Sequence, residues 1–378
     1  MKCKLSDLCE YVKAKTEVST LDDTTYISTE NMIPYKGGIT IAASLPNTTQ
    51  TQAYSAKDTL VSNIRPYFKK IWYAQTDGGC SNDVLVFRPK KKVNSRFLYY
   101  LLSDDAFFYY ATATAKGTKM PRGDKKAILE YPVPNISGES QCKIADILSG
   151  IDDKITLNQQ INKNLEELAK TIVLNYCETI AQFIFLRDIM SFENGFAFQS
   201  ATYLPIGKYR IITIKNVLDG RIDSQGSSCI DIPPSRMKSG CYLAIGDVLL
   251  SLTGNVGRVG IVCEDHLLLN QRVAKFQPKI SSLLPWLYYY FRLPRTKTSL
   301  ETIAKGTAQA NLSPIETLNL LIPFELHSAL EVSKLLQDMF DQEILNNMES
   351  IRLAALRDTL LPRLMSGELD MSKVEISI

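Results

Sequence analysis

The amino-acid sequence repeats itself at a separation of 189 residues, which is half of the 378-residue chain. The correspondence runs for roughly a hundred residues without a gap. Near the two starts a smaller separation relates 5–8 to 186–189, so insertions fall in a variable loop there. A repeat of this length indicates two similar domains rather than a solenoid of short units. The matched segments are 58–62 with 247–251, 84–90 with 273–279, 98–100 with 287–289, 115–118 with 304–307, and 134 with 323.

Each half begins with a body rich in strand-forming segments. Alternating or β-branched runs bounded by turn residues predict strands. Two aromatic stretches, 96–110 and the segment from 286 onward, are long enough for helices. We assign their Tyr and Phe stripes to core packing rather than to base stacking. The predicted strands are 59–64, 71–74 and 84–88 in the first half and 211–214, 247–252, 259–262 and 273–277 in the second.

Each half ends with a heptad-like pattern, which predicts a helix of about 35 residues and roughly 50 Å. Two such helices in one chain pair most simply as an antiparallel coiled coil. Leu361 and Pro362 are expected to end or kink the second helix. Two seam asparagines set the register if they are buried; the alternative is that they lie at the edge of the seam. The predicted seam consists of Ile144, Leu148, Ile151, Ile155, Asn158, Asn162, Leu165, Ala169 and Ile172, and of Leu336, Phe340, Ile344, Asn347, Ile351 and Ala355.

The expected fold is α+β, with two mixed α/β domains, mostly strand, separated by two long helices in a pseudo-twofold internal repeat. The predicted boundaries are a body over 1–140, a helix over 141–182, a body over 183–327, and a helix with a tail over 328–378. The formal charges of these four segments are +5, −2, +4 and −4. The positive bodies, rather than the negative helices, are therefore expected to meet a polyanion. Ordinary surface variation is the alternative.

Both bodies contain the phrase Lys-Gly-Thr, which is our first candidate contact site. Glycine permits a tight turn that presents backbone amides beside a cation and a hydroxyl, and this combination suits a phosphate. The first copy continues with cations and the second with amides, and Arg, Gln and Asn make bidentate contacts with base edges. A turn that only joins two elements is the alternative. The predicted DNA-binding residues are Lys116, Gly117, Thr118, Lys119 and Arg122 in the first loop and Lys305, Gly306, Thr307, Gln309 and Asn311 in the second.

A second group of candidates follows a predicted strand in each body. Arg65, Lys69 and Lys70 are interleaved with aromatic residues, and Asn255 and Arg258 occupy the related part of the second body. Basic residues among aromatics are typical of a hairpin that faces a DNA groove. A solvated strand face is the alternative.

Patterns of a catalytic site, metal site or membrane segment are weak. The two histidines are far apart, and the eight cysteines include no Cys-x-x-Cys pair. No apolar run approaches the roughly 20 residues that span a bilayer, and the start lacks the apolar core of a signal peptide. These features predict a cytoplasmic protein without a metal of its own. Asp105 and Asp124 near Lys126 imitate a nuclease metal cluster, but the repeat does not preserve them.

Several phrases, in this order, resemble the specificity subunit of type I restriction–modification systems, and the resemblance covers essentially the whole chain. They are Ser-Asn-Ile-Arg-Pro at 62–66, Gly-Thr-Lys-Met-Pro-Arg at 117–122, Gly-Thr-Ala-Gln-Ala-Asn-Leu-Ser at 306–313, Leu-Ile-Pro at 321–323 and Leu-Pro-Arg-Leu-Met-Ser-Gly-Glu-Leu at 361–369.

The resemblance implies a non-catalytic, sequence-specific DNA-binding subunit. Each body would be a target recognition domain that reads one half of a bipartite, asymmetric site in double-stranded DNA. The helices would set the spacer and dock two methylation subunits, which bring S-adenosylmethionine, and motor–nuclease restriction subunits would add ATP and Mg chemistry. Two alternatives stay open at this point: a freestanding metal-dependent nuclease fragment, and a coiled-coil scaffold that binds only protein.

Overall fold

The structure, a computed structural model, describes residues 2–304, 310–369 and 371. The chain divides into two compact units: Met1–Asp153 with Leu353–Ile378, and Lys154–Arg352. Both unit boundaries fall inside long helices, so each unit consists of one body together with segments of two helices.

The first body is rich in strands and precedes a helix of 42 residues, α5 (Gly138–Thr179). In chain order it contains β1 (Lys2–Lys4), α1 (Leu5–Leu8), β2 (Cys9–Tyr11), β3 (Lys15–Glu17), β4 (Tyr26–Ile27), β5 (Gln50–Tyr54), β6 (Thr59–Ser62), β7 (Ile71–Tyr73), β8 (Gly78–Cys80), β9 (Val84–Pro89), α2 (Ser95–Ser103), α3 (Asp105–Ala113), α4 (Lys125–Leu129) and β10 (Pro132–Pro134).

The second body has a similar order of elements, with a 3-10 turn in place of α1 and one additional strand, and it precedes a helix of 40 residues, α9 (Leu326–Met365). It contains β11 (Phe183–Phe185), β12 (Met190–Asn194), β13 (Tyr209–Ile212), β14 (Gly220–Arg221), β15 (Cys229–Ile230), β16 (Tyr242–Leu243), β17 (Val248–Ser251), β18 (Val259–Ile261), β19 (Leu267–Leu269), β20 (Val273–Pro278), α6 (Leu284–Phe291), α7 (Pro294–Ile303), α8 (Pro314–Leu318) and β21 (Leu321–Pro323). Short 3-10 turns occur at Val18–Thr20, Pro66–Phe68, Leu186–Asp188, Ser200–Thr202, Ser239–Cys241 and Ser281–Leu283.

The two bodies share one sheet plan. The antiparallel order β2-β9-β6-β7 recurs as β12-β20-β17-β18, and β14 adds a parallel edge strand only in the second body. A second sheet in each body contains one parallel pair, β4–β8 and β13–β19. The pairing of Leu60 with Val86 recurs as Leu249 with Lys275, at a separation of 189. The sequence repeat is thus a repeat of strand pairing, which confirms the mixed α/β prediction.

The central strands are buried on both faces, because each strand packs on a helical layer and on the second sheet. On β6, Val61 contacts the cluster that contains Phe97 of α2, whereas Leu60 contacts the cluster that contains Ile27 and Cys80 of the second sheet. Strands covered on both faces read as continuous apolar runs. This explains why 59–64 and 247–252 do not alternate strictly.

The structure corrects the bounds of two predicted helices, while a kink at Pro362 stays a prediction. The single helix expected over 96–110 is two helices, because Asp104 adopts an extended backbone and its carboxylate accepts a hydrogen bond from Ala106 N at 3.0 Å, capping α3. The helix α9 does not end at Leu361 and Pro362. It continues to Met365, because Leu361, Met365 and their neighbours pack in the core of the first unit.

The helices α5 and α9 pair in antiparallel fashion, as is visible within the second unit. Lys154 Nζ lies 3.2 Å from Glu349 Oε2, whereas Asn162 Nδ2, two turns further along α5, donates to Glu343 O at 3.4 Å. Asn158 is only 1% exposed, so it is a buried seam residue rather than an edge residue. Its Nδ2 donates to Glu349 Oε2 at 2.7 Å.

The predicted seam residues fall into three classes of exposure. Ala355 is exposed. It lies nine residues before the buried Leu364, which is two and a half helical turns, so the two residues lie on opposite faces of α9. Ile144, Leu148, Asn158, Ala169, Leu336 and Phe340 are buried, and Ile151, Ile155, Asn162, Leu165, Ile172, Ile344, Asn347 and Ile351 are half-buried.

A buried polar cluster attaches α6 to the long helices within the second unit. The hydroxyls of Tyr288 and Tyr289 donate to the two carboxylate oxygens of Glu343 at 2.9 and 2.8 Å. The Arg292 guanidinium lies 3.8 Å from Glu343 and 2.5 Å from Glu166. Burial raises the pKa of Glu343 above its ordinary value, against the opposing effect of Arg292 and the two hydroxyls. Arg292 is therefore the cation that compensates the buried Glu343, and it also pairs with the half-buried Glu166, which Lys170 contacts as well.

The first unit contains a simpler version of this attachment. Tyr100 of α2 donates to Asp152 Oδ2 of α5 at 2.7 Å. Arg357 of α9 donates to Asp152 Oδ1 at 2.8 Å. In both units a tyrosine of the first aromatic helix binds a carboxylate on a long helix, and an arginine supplies the compensating charge.

We expect Arg292→Met to destabilise the second unit by about 3 kcal/mol, because removal of one member of a buried ion cluster leaves uncompensated charge in the interior. Urea unfolding of the full chain measures the loss. Arg352→Met is the matched control, since Arg352 is exposed on α9, and it should change the free energy of unfolding by less than about 0.5 kcal/mol. Equal effects of the two substitutions would contradict the role of the cluster.

Candidate nucleic-acid interface

The first Lys-Gly-Thr sequence lies in a loop closed by its own backbone. Lys116 N donates to Arg122 O at 2.8 Å, and Arg122 N donates to Lys116 O at 2.9 Å. Gly117 has a φ of +95°, a conformation in which glycine avoids the steric cost of a Cβ atom. The side chains of Thr118 and Lys119 are exposed at the tip. The loop 116–122 therefore presents the tight turn that the sequence predicts.

The structure joins this loop to the turn after β6. Arg65 N donates to Pro121 O at 2.8 Å, and Gly123 N donates to Asn63 O at 3.0 Å. Arg65 Nε and Asn63 Oδ1 are buried and have no hydrogen-bond partner among the described residues. Two candidate regions that are about 50 residues apart in the sequence thus form one surface. This surface contains polar groups without a hydrogen-bond partner among the described residues.

Two cations of the loop hold surface ion pairs. Lys116 Nζ lies 2.5 Å from Asp124 Oδ2, and this hydrogen bond lowers the pKa of Asp124 below its ordinary value. Arg122 lies 3.1 Å from Asp83. Exposed pairs of this kind are worth about 0–1 kcal/mol, so a phosphate could replace either carboxylate at small cost. Lys119 has no ion-pair partner among the described residues.

Lys69 and Lys70 have intramolecular partners instead of free ammonium groups. Lys69 Nζ lies 2.7 Å from Asp105 Oδ2 and 5.3 Å from the ring centroid of Tyr109. Lys70 Nζ donates to Thr29 O at 2.6 Å, and burial lowers the pKa of this lysine. The structure thus places Arg65 beside the loop 116–122, whereas the ammonium groups of Lys69 and Lys70 are bound by groups of the same chain. Their contact with DNA stays a prediction.

The second body contains the same backbone hydrogen bonds between its two turns, and we call this shared set of bonds the frame. The side chains on the frame differ between the two bodies. Gly254 N donates to Ala310 O at 3.2 Å, and Leu312 N donates to Leu252 O at 2.7 Å, which repeats the Arg65 and Gly123 bonds at a separation of 189. The Asn255 amide, oriented with its oxygen toward Arg258, accepts from both terminal guanidinium nitrogens at 3.1 and 3.2 Å. The candidates Lys305, Gly306, Thr307 and Gln309 lie outside the described residues, and Asn311 is exposed beside Thr253.

A cleft of about 420 Å³ in the second body contains candidates that sequence reasoning missed. Lys215 and Arg272 are exposed on its wall and have no ion-pair partner among the described residues. The loop around Gln225 and Gly226 also lines the cleft. These residues follow strands singly rather than in a basic run, so charge patterning alone does not reveal them.

A buried asparagine supports this cleft, and its motif also escaped the sequence analysis. Asn216 Oδ1 accepts from Thr213 N and Thr213 Oγ1, both at 2.9 Å, while its Nδ2 donates to Asp223 O and Ser227 Oγ. The first body has the same arrangement, in which Ser28 N donates to Asn31 Oδ1. The signal was present as Ile-Ser/Thr-x-x-Asn, but at a separation of 185 rather than 189.

We expect Asn216→Ala to destabilise the second body by about 2 kcal/mol, because the buried groups that it binds lose their partners. Hydrogen exchange should accelerate at the loop amides of 223–228. Asn255→Ala, at an exposed position, is the matched control. A protected loop in the Asn216 variant would refute the supporting role.

The acidic pair that imitates a nuclease cluster has other roles. Asp124 caps α4 by accepting from Lys126 N and Ala127 N. Burial raises the pKa of Asp105, but the bound ammonium groups of Lys69 and Lys36 bring it below its ordinary value. Within the described part of the chain, no three His, Cys, Asp or Glu side chains are grouped to hold a metal ion. None of the described helices is long and apolar enough to cross a membrane.

Two copies of one mixed α/β body, each with a polar turn in the same frame, define a duplicated recognition module on paired helices. A family model for the type I restriction modification DNA specificity domain matches residues 1–167 and 181–347. The chain therefore belongs to this family and is a type I restriction–modification specificity subunit.

Individual relatives agree with this assignment. The specificity subunit of the type I restriction enzyme MjaIX from Methanocaldococcus jannaschii is 25% identical over an alignment of 325 positions, gaps included, which covers 76% of this chain and 72% of that protein. The HindI specificity subunit from Haemophilus influenzae is 21% identical and covers 97% of this chain and 98% of its own length. The solved S subunit from M. genitalium has a TM-score of 0.55 at 16% identity, covering 97% of this chain and 96% of that one. This last similarity supports the fold.

Proposed function

We propose that the chain is a non-catalytic subunit that reads a bipartite, asymmetric target in double-stranded DNA, one half-site with each body. The observation that carries this proposal is the shared frame at Arg65 and Gly254, which is built from the same backbone hydrogen bonds and carries different side chains. A repeated frame docks on a repeated structure such as the DNA backbone. Different side chains on that frame recognise different base sequences.

The reading surfaces differ chemically between the bodies. The first contributes cations at the loop 116–122 and at Arg65, whereas the second contributes the Asn255–Arg258 pair and the cleft with Lys215 and Arg272. Arginine and asparagine favour different base edges, guanine and adenine respectively. An asymmetric target follows from this difference.

We further propose that the paired helices dock two methylation subunits and set the spacer between the half-sites. In the second unit, Leu157 and Leu168 of α5 are 50% and 51% exposed. Residues 11 apart lie on one face of a helix, so both leucines are exposed on the same face of α5, where a protein partner would cover them. The methylation subunits would bring S-adenosylmethionine, and restriction subunits would bring ATP and Mg.

Exchange of residues 1–140 for the corresponding body of a relative should change one half of the methylated site and preserve the other. Genome-wide methylation mapping of a host that expresses the chimaera with its modification partners measures this. The reciprocal exchange of 183–327 is the control and should change the other half. A change in both halves, or in neither, would show that the bodies are not independent readers.

Lys119→Ala should weaken DNA binding and reduce the salt slope, d log K/d log[salt], by about one unit if Lys119 touches a phosphate. The measurement is DNA affinity of the assembled complex across a salt series. Lys91→Ala removes another exposed cation, which lies in the turn that follows β9, and it should leave the slope unchanged. Identical slopes for wild type and Lys119→Ala would exclude this contact.

A further inference from the structure

The turn after β6 in the first body holds two bulky residues in the left-handed backbone region. Arg65 has a φ of +50° and Lys69 a φ of +52°. In the second body the equivalent positions are Gly254, at +73°, and Gly257, at +80°. A non-glycine residue in this backbone region is destabilising by about 1 kcal/mol. The first body thus has two large side chains at positions where the second body has glycine.

The equivalence of the two turns rests on backbone bonds rather than on sequence identity. Ser62 N donates to Lys70 O at 3.0 Å, and Ser251 N donates to Arg258 O at 2.9 Å. These bonds align Lys69 with Gly257, although the first turn is one residue longer. Residues held in this strained backbone region cluster at active sites and ligand-binding sites.

Lys69 and a neighbouring loop hold one carboxylate between them. Asp105 Oδ2 lies 2.7 Å from Lys69 Nζ, and Asp105 Oδ1 lies 2.9 Å from Lys36 Nζ. Lys36 N also donates to Lys69 O at 2.9 Å, and Tyr35 N donates to Phe68 O at 2.7 Å. Tyr35 and Lys36 themselves have positive φ, at 58° and 65°. Four strained residues are thus fixed in one place.

Three solvent-exposed tyrosines lie on the segments that carry this ion cluster, namely the loop of Lys36, the turn of Lys69 and the helix α3 of Asp105. Tyr35, Tyr67 and Tyr109 are 71%, 44% and 68% exposed, and they are the exposed aromatic side chains among the described residues of the first unit. The assignment of the stretch 96–110 to core packing is therefore wrong for Tyr109. The Lys69 ammonium lies 5.3 Å from the ring centroid of Tyr109. Concentration of exposed aromatic rings in one patch, beside the basic loop 116–122, is typical of a binding surface.

We propose that Tyr35, Tyr67 and Tyr109 are specificity-determining residues that contact base edges in one DNA half-site, and that Lys69 and Asp105 position them. The inference rests on the proposed DNA-reading function and adds to the residues that the sequence suggests. Duplex DNA is the favoured partner because the patch adjoins Arg65, which is bonded to the basic loop.

The charge of the patch favours base edges over phosphates. Asp105 is half-exposed and already binds both lysines, so little cationic charge is free to attract the DNA backbone there. A carboxylate can accept from a base amino group, and an aromatic ring can contact the thymine methyl. Phosphate binding is left to Lys119 and its neighbours in the loop.

The test uses the full chain, expressed with its modification partners in a host without the wild-type gene, and genome-wide methylation mapping. Tyr35→Ala and Tyr109→Ala should each relax base preference in one half-site roughly tenfold, with the other half-site unchanged. Tyr242→Ala is the matched control, because it is exposed to the same extent as Tyr67 but belongs to the second body. It should leave that half-site intact.

Lys69→Gly tests positioning. It removes the ammonium and relieves the left-handed backbone, so the melting temperature should stay near the wild-type value while preference in the same half-site relaxes. If a tyrosine variant melts early, Tyr109→Phe, which keeps the ring and loses the hydroxyl, replaces it and should shift preference in the same half-site.

Unchanged preference in all folded variants would overturn the proposal. So would loss of methylation with DNA binding intact, which would make the patch a protein-docking surface. If the wild-type chain itself directs methylation without any bipartite pattern, the proposed function fails, and this outcome is distinct from failure of the tyrosine assignment.

Discussion

Each body is attached to the long helices by a carboxylate that accepts a hydrogen bond from tyrosine, and this carboxylate is buried in the second unit and half-buried in the first. Glu343 accepts from Tyr288 and Tyr289, and Asp152 accepts from Tyr100. A buried carboxylate is costly unless hydrogen bonds and a cation compensate it, which Arg292 supplies in the second unit. The geometry of these bonds fixes the orientation of α6, and with it that of the sheet on which the polar turns sit.

The shared backbone bonds and the exposed side chains around the two polar turns depend on the sequence in different ways. The frame is the set of backbone bonds around Arg65 and Gly254, and backbone bonds tolerate almost any side chain. The surface consists of side chains that project from that frame, such as Asn255 in one body and Tyr67 in the other. The two bodies therefore share the backbone geometry of these turns while their side chains differ, and glycine in the second body stands where the first has Arg65 and Lys69.

Most of the architecture could be predicted, because the duplicated strands repeat in the sequence and the buried faces of the long helices have regularly spaced apolar residues. The match of Asp58-Thr59-Leu60 with 247–249 placed β6 and β17 correctly, and the heptad spacing placed both long helices. The break at Asp104 was missed, because a single capping side chain interrupts a continuous aromatic pattern. The buried Asn216 was missed because an insertion shifts its motif by four residues.

The sequence by itself determined that two similar bodies alternate with two long helices, because the periodicity of apolar residues and the internal repeat are both visible in the sequence alone. It also identified the family through short ordered phrases. Only the tertiary structure decided which cations are available: Lys69 and Lys70 look equivalent to Arg65 in the sequence, yet internal acceptors hold them. Likewise, only the fold brings Tyr35, Tyr67 and Tyr109 to one surface. Partnership and proximity depend on contacts between residues that are distant in the chain, and no local pattern encodes them.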